Sequence, residues 1–207
     1  PPPHPPPPGP PADPPRRAPV AQPVDPAGIG VALTGAVGPT KGVIPPCLLG
    51  YSDELTGTGL DLEGAAELLA GTGYGPDGEP LNLTMTVAAG DTDEMLVGAS
   101  MKSNLAELGI ELDVQPLEWQ AQWDRAISDN LDERQDIFVM YWWPDYPDPF
   151  SWFISMFYTE EEPNFNLAYY SDPDMDAAID EIQSLTVTDR EAAEAKYIEM
   201  QQQLIDD

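Results

Sequence analysis

The chain has one cysteine, Cys47, one histidine, His4, and only 8 lysines and arginines against 37 aspartates and glutamates. A single cysteine excludes a disulfide framework within the chain. With a single histidine beside it, zinc clusters and Cys/His or Ser/His/Asp catalysis are excluded too. No metal and no cofactor is expected. The formal net charge of -29 sets DNA, RNA and anionic lipid surfaces aside as partners, because a polyanion repels other polyanions. No apolar run reaches the ~18 to 20 residues that cross a bilayer, so no transmembrane segment is expected. The longest candidate, Phe150 to Tyr158, is interrupted by Ser151 and Ser155. The first residues are prolines rather than a basic and then apolar stretch, so no signal peptide is expected within the chain. The acids are scattered along helical faces rather than massed in one block, which fits surface solvation in high salt. A halophilic or extracytoplasmic setting is the expectation.

Proline and aromatic rings, by contrast, are plentiful, and they meet in Tyr141-Trp142-Trp143-Pro144-Asp145-Tyr146-Pro147-Asp148-Pro149-Phe150. The preceding Asp136 to Met140 reads as a short buried strand, because an apolar, β-branched and aromatic run follows a charged segment. The loop therefore opens at a strand's C-terminal end, where open α/β sheets usually hold ligands. Three prolines stiffen it by fixing φ, so Asp145 and Asp148 are held in place. Rigid aromatic walls with one convergent charge suit a ligand with a cationic head and apolar groups. A Trp-rich segment after a strand is also an ordinary core feature, and Asp between prolines an ordinary turn residue. Pattern alone leaves both readings open.

More than half of the 25 prolines lie in residues 1–26, a density that favours extended, solvated polyproline conformations and reads as a disordered tail or linker. Residues 27–60, punctuated by glycine and proline, read as an extended crossing segment. From 61 onward the pattern is α/β. Leu62 to Ala70 is a helix with Asp61 as N-cap and Gly71 just past its end. Glycines 71, 73, 75 and 78 read as a helix end and turn rather than a phosphate loop, since no lysine follows. Leu81 to Val87 and Ile110 to Val114 alternate as strands. Thr92 to Leu108 is a helix with Met95, Ala99, Leu105 and Leu108 near helical spacing, ended by Gly109. Trp119 to Asn130 is helical again. This strand–helix–strand–helix–strand succession predicts right-handed crossovers and a largely parallel sheet. Ser151 to Tyr158 is a short apolar helix. Asp172, Pro173 and Asp174 form a helix start rather than a calcium loop, because Ala177 and Gln183 occupy the positions that need Gly and Glu. Asp189 to Ile205 is an amphipathic helix.

Several segments, in this order, resemble the extracytoplasmic solute-binding proteins of ABC transporters in the oligopeptide, dipeptide and nickel-binding family, family 5. They are Gly42-Val43-Ile44-Pro45-Pro46 through Gly50-Tyr51, Ala65 to Leu69 through Gly73-Tyr74, and Asn104 to Ile110. They continue with the Trp142 to Pro149 loop, Tyr170 to Asp176, and Asp189-Arg190 followed by Tyr197 and the helix reaching Asp206-Asp207. The resemblance spans residues 16–207. It implies a periplasmic-binding-protein type II-like lobe, a mostly parallel sheet flanked by helices, one lobe of two, with 61–207 as the ligand-binding lobe and 27–60 near the hinge. Its implied partners are a small peptide or other small solute and the transmembrane permease subunits of an importer, with an extracytoplasmic location. One departure stands out. The family's helix around residues 17–29 is interrupted here by Pro19, Pro23 and Pro26, each costing ~3 kcal/mol in a helix interior.

The resemblance matches Asp145 to the aspartate that accepts a peptide's α-ammonium. An ionised carboxylate is acceptor-only and forms charge-assisted bonds to such a group. Trp142 and Trp143 would wall the pocket, one turned into the lobe and the other toward ligand. Tyr141 and Tyr146 offer apolar faces with hydroxyl tips, and Asp148 reads as a loop-structuring residue. Two other readings remain: a glycoside hydrolase using Asp145 and Asp148 as a carboxylate pair, and an acidic structural or interaction module with a proline-rich arm.

Overall fold

The computed structural model describes residues 23–32, 40–56, 59–70, 72–76 and 78–207. The proline-rich stretch before residue 23, and Gly71, lie outside the described residues. Helix α1, Pro26–Ala32, occupies a place expected to be extended. The reason is local. Proline costs nothing at a first helical position, so Pro26 starts the helix instead of interrupting it, and the Asp25 carboxylate accepts the Gly28 amide at 2.9 Å.

Helix α2, Leu62–Leu69, starts where expected, with Asp61 accepting the Gly64 amide at 2.8 Å. Three parallel strands follow: β1 Leu81–Ala88, β2 Ile110–Leu117 and β3 Ile137–Phe138, in the order β2-β1-β3. Leu81 pairs with Ile110 and the register runs unbroken to Ala88 with Leu117, whereas β3 pairs only at Met85–Ile137 and Thr86–Phe138. The third strand is therefore shorter than Asp136 to Met140.

Helix α3, Thr92–Glu107, crosses from β1 to β2. Leu105 and Leu108 are buried as expected, but the rest of its buried face differs. Met95 is 40% exposed and Ala99 is exposed, whereas Glu94, Gly98, Met101 and Leu105 are buried. Contact between helix and sheet selects this face. A Cβ on Gly98 would fall 2.8 Å from Val114 Cγ1, so glycine is what lets the helix lie against β2, and a glycine adds no apolar signal to the pattern. Helix α4, Trp119–Ala126, ends before Asn130. Ser128 and Asn130 instead accept the amides of Asn130 and Asp132, a local alternative to helix bonding.

Two cores result. Ala65, Leu69, Met85, Val87, Leu105, Ile110 and Leu112 fill the space between sheet and helices. The second gathers Ile44 with helices α5, Phe150–Met156, α6, Pro173–Thr188, and α7, Arg190–Asp206. Asp172 caps α6, accepting the Met175 amide at 2.7 Å, and Pro173 follows at the first helical position. Residues 40–56 contain no helix or strand and dock on α7. Buried Gln201 accepts the Ile44 amide at 3.0 Å and donates to the Gly50 carbonyl at 2.8 Å. Backbone groups with no ladder partner are thus satisfied by one side chain.

Candidate functional site

Strand β3 runs through Val139 and Met140 into the proline loop, so the loop stands at the C-terminal edge of the sheet. Residues 141–144 carry no regular secondary structure, and their exposure alternates along the chain. Tyr141 and Trp143 accordingly share the solvent side, 47% and 73% exposed, with ring centroids 5.3 Å apart. Trp142 turns inward, packs on the helical core and meets Phe165 edge-on at 5.0 Å. An array of rings continues beneath the loop, from Phe165 to Trp123 at 5.6 Å and from Trp123 to Trp119 at 5.6 Å. Trp119 opens α4 just past the end of β2 and is itself exposed.

Asp145 is exposed, and its backbone is held. Its amide donates to the Oγ of buried Ser151 at 3.3 Å, and Ser151 donates back to Asp145 Oδ2 at 3.3 Å. These are long bonds, and Oδ1 meets no donor among the described residues. Ion pairs among the described residues are those of Lys196 with Glu181 and Glu199, so Asp145 is not spent on a salt link. Asp148 is committed. Its Oδ1 accepts the Phe150 amide at 2.8 Å and the hydroxyl of buried Tyr197 at 3.1 Å, tying the loop to α7. Tyr146 is exposed beside both acids, and burial, then Asp148 and Asp145, raise its pKa.

On the other flank, Tyr141 donates to Asp91 Oδ1 at 3.3 Å. The same oxygen caps α3, accepting the Asp93 and Glu94 amides at 2.9 Å. Burial, then the charges of Asp91 and Asp93, raise the Tyr141 pKa and keep it a donor. Glu94 is buried, which raises its pKa, and its carboxylate accepts the Ala88 amide at 2.6 Å. Pattern reading had no place for Asp91, Ser151, Tyr197 or Trp119 at this edge, although Asp91 followed three residues later by Glu94 is a recognisable helix start. A depression of about 670 Å³ lies at the opposite end of the sheet, against Pro80, Asn82, Lys102, Gly109, Glu111 and Asp113, and no loop residue borders it. No group of three or more metal-ligating side chains occurs among the described residues.

A parallel sheet flanked by helices, with an aromatic loop at its C-terminal edge, is an α/β lobe of the periplasmic-binding-protein kind. The chain belongs to the bacterial extracellular solute-binding proteins, family 5, whose middle-region model matches residues 16–164. It is 32% identical over 112 residues to di/tripeptide-binding protein 2 of Pseudomonas aeruginosa, covering 54% of this chain and 20% of that protein. Its fold matches the oligopeptide-binding protein AppA of Bacillus subtilis, solved with a nonapeptide, at a TM-score of 0.74 and 20% identity, over 92% of this chain and 39% of that one. It also matches a mannohexaose-bound periplasmic oligopeptide-binding protein of Thermotoga maritima at a TM-score of 0.79 and 20% identity, over 94% of this chain and 40% of that one. The chain thus spans well under half the length of these relatives.

Proposed function

We propose that the chain contributes a peptide-binding lobe to the solute-binding component of an ABC importer, working outside the cytoplasm and handing its ligand to transmembrane permease subunits. In this reading residues 61–207 supply the lobe and 27–60 the crossing segment. Asp145 accepts the ligand's ammonium group, Trp143, Tyr141 and Tyr146 face the ligand, and Trp142 supports them from behind. The observation that carries it is Asp145 itself, a carboxylate with one oxygen uncommitted on a loop whose other anchors are occupied, next to an indole left 73% exposed. A carboxylate-pair hydrolase is the poorer fit, because Asp148 Oδ1 already serves two donors.

The test is nuclear magnetic resonance titration of the labelled chain with trialanine and with N-acetyl-trialanine. In a closed two-lobed protein, where water leaves the contact, the charge-assisted bond is worth ~1.5 to 3 kcal/mol. On the exposed loop it falls to about 0.2 to 1 kcal/mol, or roughly 1.4- to 5-fold in affinity. Trialanine should shift the Trp143 indole signal, and Asp145→Asn or acetylation should weaken it by that factor. Equal affinity for the free and acetylated peptides would remove Asp145 from the site.

A further inference from the structure

Resting on this reading of the loop as a peptide site, we infer that the site prefers peptides carrying a second positive charge, and that Asp91 is the residue that selects them. Asp91 is half-buried, its Oδ1 is taken by two helix amides and the Tyr141 hydroxyl, and its Oδ2 meets no donor among the described residues. Tyr141 in turn stacks with Trp143, so a carboxylate, a phenol and an indole form one connected unit on the solvent side. Asp145, with its uncommitted oxygen, follows Trp143 by two residues in the same loop. Four residues of extended chain from Tyr141 to Asp145 span at most about 14 Å. Asp91, bonded to Tyr141 at one end of this segment, and Asp145 at its other end thus place one carboxylate at each end of the stretch that carries the exposed Trp143. An indole face with flanking acids attracts a cation both through the ring quadrupole and through charge.

The α3 N-terminus opposes this with the equivalent of about half a positive charge, which is less than the full charge of Asp91 alone, and Asp93 adds to the negative side. No lysine or arginine hydrogen-bonds or pairs with the loop among the described residues. Arg125 is engaged by Gln115 and the Glu133 carbonyl, and Arg134 by the Ser128 carbonyl and the Tyr169 ring. An acidic peptide side chain would meet net repulsion here.

Trialanine, Ala-Lys-Ala and Ala-Glu-Ala, titrated in turn into the labelled chain and its Asp91→Asn variant, separate the outcomes. Asparagine caps a helix as well as aspartate does, so the variant keeps α3 while losing the charge; circular dichroism checks that the fold is retained. The expected result is Ala-Lys-Ala binding about two- to fivefold more tightly than trialanine, with Ala-Glu-Ala weakest, the size of an exposed ion pair. In Asp91→Asn the lysine preference should vanish, so that Ala-Lys-Ala and trialanine bind alike. Equal affinity for all three peptides overturns the inference and leaves the peptide site standing. A lysine preference that survives Asp91→Asn overturns the assignment to Asp91. No response of Trp143 to any peptide removes the peptide site, and the inference with it.

Discussion

Replacing Tyr197 with phenylalanine deletes one hydroxyl from a fully buried ring and nothing else. That hydroxyl is one of two donors to Asp148 Oδ1, the other being the Phe150 amide. A hydrogen bond to a charged acceptor contributes about 1.5 to 3 kcal/mol, and the lower end applies because half-buried Asp148 keeps its second donor. At ~2 to 4 °C per kcal/mol for a chain of this size, the melting temperature should fall by about 3 to 6 °C at neutral pH. The pH dependence adds a second, sharper test. Tyrosine titrates near 10 in an unfolded chain; in the folded protein burial first, and then the Asp148 charge, push Tyr197 higher. Below about pH 10 the phenol is protonated in both states and its contribution is complete. Above that, the unfolded chain releases the proton while the folded one retains it, so stability drops as pH rises. One such group changes stability by about 1.4 kcal/mol per pH unit, so the wild-type advantage should be erased roughly one unit above pH 10. Thermal melts of both proteins by circular dichroism read the difference directly, because the other tyrosines are common to both. A gap absent at neutral pH, or one that persists undiminished near pH 11, would show that the hydroxyl is not tied to Asp148 in the folded protein.

Trp142→Phe should be mild. The indole nitrogen is buried without an acceptor among the described residues, so its removal relieves a cost of ~1 to 3 kcal/mol that offsets the lost ring area, and urea denaturation should register a change within about 1 kcal/mol instead of the ~3 to 5 of a large core truncation. A loss in that larger range would mean the nitrogen has a partner in solution. Melting followed against sodium chloride should climb, because a net charge of -29 repels itself and the screening length shortens from ~10 Å at 0.1 M to ~3 Å at 1 M. Indifference to salt would remove self-repulsion, and with it the halophilic reading, as a factor in stability.

Features that depend on a few neighbouring residues were legible in the amino-acid order. Asp61 and Asp172 cap the helices they precede, since an N-cap needs only a short acceptor beside two or three free amides. The alternation at Leu81 to Val87 and Ile110 to Val114 yields paired strands, because a period of two places one face on the core. The loop's place after a strand and its surplus of negative charge followed in the same way. The apolar stripe of α3 was right at Leu105 and Leu108 and misread at Met95 and Ala99, because Gly98 and Glu94 face the core without adding to a hydrophobic count.

What the order of residues could not decide is whatever depends on a partner far along the chain. Trp142 and Trp143 are chemically identical neighbours, and only the packing of Phe165 on one side makes the first a support and leaves the second in solvent. Pattern alone leaves Asp145 and Asp148 alike, and only the family resemblance set them apart in advance. Tyr197, 49 residues away, occupies the one and leaves the other available. Asp91 reaches the loop through Tyr141, 50 residues later, because a parallel sheet brings the ends of β1 and β3 to the same edge. Local chemistry determines which groups can act, and three-dimensional neighbours determine which are already engaged.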